Sequence, residues 1–220
     1  MMGRRKDRVT EGSELRLVED EGTPTEPNPA AEAAPAAPAA DEKAEPVSAS
    51  AGKLARADEL LAAGNHVEAA EQYGAALSAD PVSLPAMLGL GVTLLAQSHY
   101  DAAEKEFRKV LRLAPDHLDG NFQLGLTLFR RGVYPAAAQQ LGKAIEIDPD
   151  HAAAHVVLGE ALNQMGDTEA AIEALEAAIE LNPESGRAFY ALGIAYDRRG
   201  QHDRAGEMYR RSRELGGKVT

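Results

Sequence analysis

The chain has 220 residues, 44% of them hydrophobic, no cysteine and a formal net charge of −12. Without cysteine there can be no disulfide, thiolate metal site, thiol chemistry or Cys-linked lipid. Without an extended basic stripe the acidic balance argues against a nucleic-acid ligand, and the apolar runs fall short of the ~20 residues a membrane helix needs, so no membrane insertion is expected.

Residues 1–49 differ from the rest. They carry six of the twelve prolines and an excess of acids, and the run from Ala30 to Pro46 is almost entirely Ala, Pro and Glu. Each proline removes a donor and turns its predecessor away from helical angles. So few large apolar groups cannot repay the entropy of ordering. The expectation is a disordered acidic tail and linker, rising ~3 Å per residue where extended. One aliphatic island, Leu15, Leu17 and Val18, stands between acids as a candidate docking segment. Arg4 and Arg5 are followed by no apolar stretch, so they do not read as an export signal, and a cytoplasmic protein is expected.

From residue 50 onward a period takes over. Pro81, Pro115, Pro149 and Pro183 are 34 residues apart, dividing the chain into copies at 50–83, 84–117, 118–151, 152–185 and 186–219. Copies two to five share Leu-Gly pairs at 90–91, 124–125, 158–159 and 192–193. Their second halves align Ala69, Ala103, Ala137, Ala171 and Ala205, then the large Tyr73, Phe107, Leu141, Leu175 and Tyr209. This predicts five helical hairpins, with Gly and Ala admitting close backbone approach and the large side chains filling the gap. Gly64, Gly132, Gly166 and Gly200, with Ser98 in copy two, mark the turns. Asn65 and Asp167 are expected to cap second helices. Leu77, Leu111, Ile145 and Ile179 would pack on the following copy, while Arg213 stands in that place in copy five, as a terminal unit requires.

The period and these positions resemble the tetratricopeptide repeat family over about 170 residues. The resemblance implies an all-α right-handed solenoid over residues 50–217, with first helices lining an inner groove. Carried onto this sequence, the inward places hold Leu88, Val92 and Leu95 in copy two. Copy three gives Phe122, Gln123, Leu126, Phe129 and Arg130; copy four gives Val156, Val157, Glu160 and Asn163; copy five gives Arg187, Tyr190 and Ile194. The middle of that surface is apolar, with Phe122 and Phe129 as expected anchors. The acid-binding clamp of chaperone-binding relatives is absent, because its places are held by Leu54, Asp58, Gly89, Asp119 and Gln123. A clamp in another register, through Arg130, Arg187 and Arg198, stays open.

Catalysis needs convergent groups, and the chain shows no nucleophile elbow, phosphate loop or convergent carboxylates, so neither an enzyme nor a cofactor is expected. His151 and His155 are four apart but straddle a loop and a helix start, and His117 lies one period before His151. They read as solvated loop histidines, with no metal site. The function expected is a protein-binding adaptor whose groove takes a helix or extended peptide. Two other readings stay open: a homo-oligomer built by groove–tail contacts, and an accessory chaperone for secretion or assembly substrates.

Overall fold

The structure, a computed structural model, describes residues 44–216. The tail's expected disorder and its island at Leu15, Leu17 and Val18 lie outside the described residues, as does Gly217.

Among the described residues there are ten α-helices and no strand. They pair as α1 (Ala44–Ala62) with α2 (His66–Ala79), α3 (Leu84–Ala96) with α4 (Tyr100–Leu113), and α5 (Leu118–Arg130) with α6 (Tyr134–Ile147). The last two pairs are α7 (Ala152–Met165) with α8 (Thr168–Leu181), and α9 (Gly186–Arg198) with α10 (His202–Glu214). Each helix packs on the next, and each first helix also touches the first helix of the following pair. This is an α-solenoid of five hairpins. Helix α1 begins at Ala44, so its opening residues fall within the segment read from sequence as linker, with Pro46 in the first turn, where its missing donor costs nothing.

The hairpins interlock through one repeated contact. Tyr73, Phe107, Leu141 and Leu175 are buried to within 1% of exposure, each against the backbone of a facing helix. A Cβ added to Gly91 would stand 2.5 Å from Phe107, and one on Gly125 would stand 2.7 Å from Leu141. Gly159 meets Leu175 and Gly193 meets Tyr209 in the same way. Copy one has Ala57 at this place, fully buried, and the Tyr73 ring extends instead to Gly89 of the next hairpin.

The turns follow the predicted chemistry. Gly64, Gly132, Gly166 and Gly200 have φ of 77–81°, and Ser98 takes the same left-handed place at φ 62°. The capping expectation is corrected: Asn65 and Asp167 sit at N-caps, but neither side chain accepts a hydrogen bond from its helix. All five second helices follow such a left-handed turn, with N-cap ψ of 61–77°, and none of them is capped by its side chain. Asp80, Asp148 and Asn182 instead close the loops between hairpins, each accepting from the N–H two residues on, across the intervening proline. At the end of the stack, Leu77, Leu111, Ile145 and Ile179 pack against core clusters, while Arg213 is exposed.

Two stability outcomes are expected in thermal melts followed by circular dichroism. Gly125→Ala forces Leu141 away and lowers stability by about 1–3 kcal/mol. Ser98→Gly relieves a left-handed non-glycine residue and raises stability by about 1 kcal/mol.

Candidate protein-binding groove

The inner face is built by α3, α5, α7 and α9, each presenting a side about a quarter-turn round from its interlocking glycine. On α5, Phe122 and Leu126 lie one turn apart and so share a face, which Phe129 continues. Leu88, Val92, Leu95, Phe122, Leu126 and Phe129 are all half-buried, seated on the core cluster with their outer edges open. Gln123, Glu160, Tyr190 and Ile194 are half-buried too, and Arg130 and Arg187 are exposed.

Three of the sequence-predicted residues are not groove surface in the ordinary sense. Asn163 is 3% exposed, and its amide donates to the Ala191 carbonyl at 2.9 Å, tying α7 to α9. Val157 (2%) belongs to the central core, and Val156 (6%) packs with Ala178 and Ala188. Helix α7 also packs on α9 more extensively than the earlier first helices pack on their successors.

That packing leaves a depression. Phe122 and Leu126 from α5, Ala152 and Ala153 at the start of α7, and the edges of Val156 and Val157 enclose a cavity of about 200 Å³. Asn182, Ser185 and Arg187 form its polar rim. The Arg187 guanidinium meets the Glu160 carboxylate with two hydrogen bonds, one of 2.6 Å, spanning α9 and α7. That bond to Glu160 holds the Arg187 pKa above its ordinary value, against the opposing effect of partial burial. The pair consumes both charges, so the rim is polar but close to neutral. Phe122 also leans on the His151 ring at 4.6 Å, and Phe129 on Tyr134 at 5.7 Å. Both anchors are therefore held in place by the protein before anything binds.

Tyrosines are the interlocking side chains of the first and fifth hairpins. Tyr73 donates to Asp58 at 2.6 Å, and Tyr209 donates to Asp197 at 2.8 Å while standing 5.6 Å from Tyr190. Burial raises both phenols, and the neighbouring carboxylates raise them further. Asp197 is lowered, chiefly by its hydrogen bond with His202.

The histidines carry a role that sequence reasoning passed over. His117 Nδ1 accepts from Gly120 N at 3.3 Å, and His151 Nδ1 accepts from Ala154 N at 3.1 Å, so both cap first helices, as Ser185 does for α9. Their spacing of one period was the available signal. Also missed was a ladder of exposed aliphatics, Leu113 (51%), Ile147 (39%) and Leu181 (37%), one period apart at the ends of α4, α6 and α8. Among the described residues no group of three potential ligands could hold a metal, and no helix is long and apolar enough to cross a membrane.

The family model described as tetratricopeptide repeat matches residues 54–117 and 158–218, more than half of the chain. A second model, described as anaphase-promoting complex, cyclosome, subunit 3, matches residues 96–178. No curated protein matches. Among solved structures, MamA is 28% identical with a TM-score of 0.66, over 73% of this chain and 94% of that one. MamA from Desulfovibrio magneticus RS-1 is 25% identical with a TM-score of 0.71, over 76% of this chain and 94% of that one. YrrB, described as a TPR protein with an unusual peptide-binding site, is 24% identical with a TM-score of 0.64, over 76% of this chain and 86% of that one, a likeness of fold.

A pH outcome follows from the two phenols. A folded-state pKa raised above the unfolded value of about 10 gives stability that is whole below that pH and is lost as pH rises through the folded value. Denaturation midpoints should therefore fall above about pH 10, and Tyr73→Phe or Tyr209→Phe should each flatten that fall; Tyr209→Phe also removes a hydrogen bond that lowers Asp197, so it should flatten the loss of stability on the acid side as well.

Proposed function

Because the chain belongs to the tetratricopeptide repeat family, we propose that it is a non-enzymatic, cytoplasmic adaptor that holds an apolar segment of another protein in the groove of α3, α5, α7 and α9. The observation that carries this reading is the unbroken row of half-buried aliphatic and aromatic side chains running from Leu88 through Phe122 and Leu126 to the 200 Å³ cavity. Side chains left half-covered in a row gain from being covered by a partner, at roughly 25 cal/mol per Å² of apolar area. The depression offers room for one anchoring side chain, and the fixed Phe122 and Phe129 rings reduce the ordering cost of binding. Both an amphipathic helix and an extended peptide can present such an anchor. YrrB, of the same fold, is described as having a peptide-binding site, which accords with this use of the groove.

The test places a photo-activated cross-linking residue at Val92 or Leu126 in the groove, and at exposed Glu173 on α8 as the control. The expected outcome is one or a few adducts of defined mass from the groove positions and none of these from Glu173. Phe122→Glu/Phe129→Glu should abolish the adducts while circular dichroism remains helical. Adducts shared equally by groove and control positions would sink the proposal. An adduct of twice the chain's mass would make the partner a second copy and the protein a homo-oligomer.

A further inference from the structure

The side of α5 turned away from the groove carries a different chemistry. Leu124 lies two residues from both Phe122 and Leu126, about 200° round the helix, and so faces outward toward the second helices. There α4 and α6 do not pack on each other, and a crevice of about 340 Å³ opens between them over Leu124, Leu111 and Pro115. Arg108 and Arg112 line one wall, one turn apart on α4, and Gln140 and Lys143 line the other. Arg108 is paired with Glu104 at 2.7 Å, but Arg112 and Lys143 have no ion-pair partner among the described residues. Two free cations facing one crevice are unusual in a chain of net charge −12. Two repeats further on, the places of Arg108 and Arg112 are held by Glu176 and Glu180.

At the base of the crevice sits Asn121, 1% exposed. Its amide nitrogen donates to the carbonyls of Pro115 at 2.9 Å and His117 at 3.0 Å, which fixes the orientation of the group. Its oxygen has no partner, and neither does the oxygen of Gln140 on the opposite wall. A buried acceptor left unmatched costs about 1–3 kcal/mol. The equivalent places in the other copies hold Lys53, Met87, His155 and Phe189, so the repeat itself does not require asparagine here.

We propose that this crevice is a second protein-binding site, separate from the groove, which takes an acidic segment of a partner. Such a segment has a carboxylate to lie between Arg112 and Lys143, backbone N–H groups to donate to Asn121 and Gln140, and an aliphatic side chain to cover Leu111 and Leu124. A phosphate ion or a nucleic-acid backbone supplies the charge alone, with neither the N–H donors nor the apolar contact. Because groove and crevice lie on opposite sides of α5, both can be filled at once, and the protein then bridges two segments.

The test uses the isotopically labelled full chain, followed by NMR, titrated with an acetylated, amidated Glu-Leu-Asp-Glu-Leu peptide. Its Gln-Leu-Asn-Gln-Leu counterpart and inorganic phosphate are the comparison ligands. The acidic peptide should shift the side-chain amides of Asn121 and Gln140 and the backbone of α4 and α6. Arg112→Glu/Lys143→Glu, both exposed, should weaken it about tenfold or more, while Phe122→Glu leaves it unchanged. The proposal is overturned by equal binding of the neutral peptide, by a charge-reversed variant that binds as well as wild type, or by shifts confined to the groove. Phosphate reproducing the full set of shifts would make this a simple anion site and would equally overturn it. Failure at the crevice leaves the groove reading intact, because the cross-linking experiment tests the groove by itself.

Discussion

The contact between a glycine on each first helix and a large side chain on its second helix is the constraint from which the rest of the architecture follows. With no Cβ at Gly91, Gly125, Gly159 and Gly193, the two backbones approach until Phe107, Leu141, Leu175 and Tyr209 fill the space completely. The approach fixes which side of every first helix is turned inward to its hairpin. The side about a quarter-turn round from each glycine is then left to form a groove, whatever residues occupy it. Copy one reaches the same end by a different route, with Ala57 at the interlock and the Tyr73 ring passing on to Gly89, so the first joint of the solenoid is locked across hairpins as well as within one.

A uniform interlock does not give a uniform groove. Successive first helices do not meet equally, and α7 packs on α9 more extensively than the earlier pairs do. There Ala188 covers Val156 and Asn163 reaches the Ala191 carbonyl, while Val157 sinks into the central core. Toward the α3 end the bulk of Leu88, Val92 and Leu95 stays half-covered. The cavity beside Phe122 falls at the junction of these two regimes, where aromatic bulk on α5 meets closely packed α7.

The repeat frame was legible in the sequence because its physics recurs: period, interlocking glycines and turn glycines all reappear where expected. Ser98 was read as a glycine substitute and adopts the left-handed backbone of one. What was not legible depends on neighbours in three dimensions. Val156 and Asn163 occupy the same register as exposed or half-buried residues in other copies, and contacts with α8 and α9 bury them, while Val157 sinks into the central core. Asn65 and Asp167 have the right chemistry for caps, but none of the second helices is capped by its side chain after the left-handed turn. His117 and His151 were set aside as loop residues because histidine is not a usual cap, although their recurrence one period apart was itself a structural signal.

These observations locate where binding specificity can reside in such a chain. Positions committed to the interlock, the turns and the loop prolines cannot vary without cost, and they are the ones that repeat. A residue that departs from its equivalents in the other copies is therefore free of that duty, or serves another. The groove side of α5 departs through Phe122 and Phe129, and the outer side departs through Asn121 together with Arg112 of α4. Both departures centre on the third hairpin, flanked by neighbours on either side, where a bound segment can contact adjacent hairpins as well. The outer helices leave that choice open because they do not pack on one another. Apart from Glu104 and Glu176, which meet Arg131 and Tyr196, the charges of α4 and α8 stand on the outer faces, so the two helices can differ in sign on one frame.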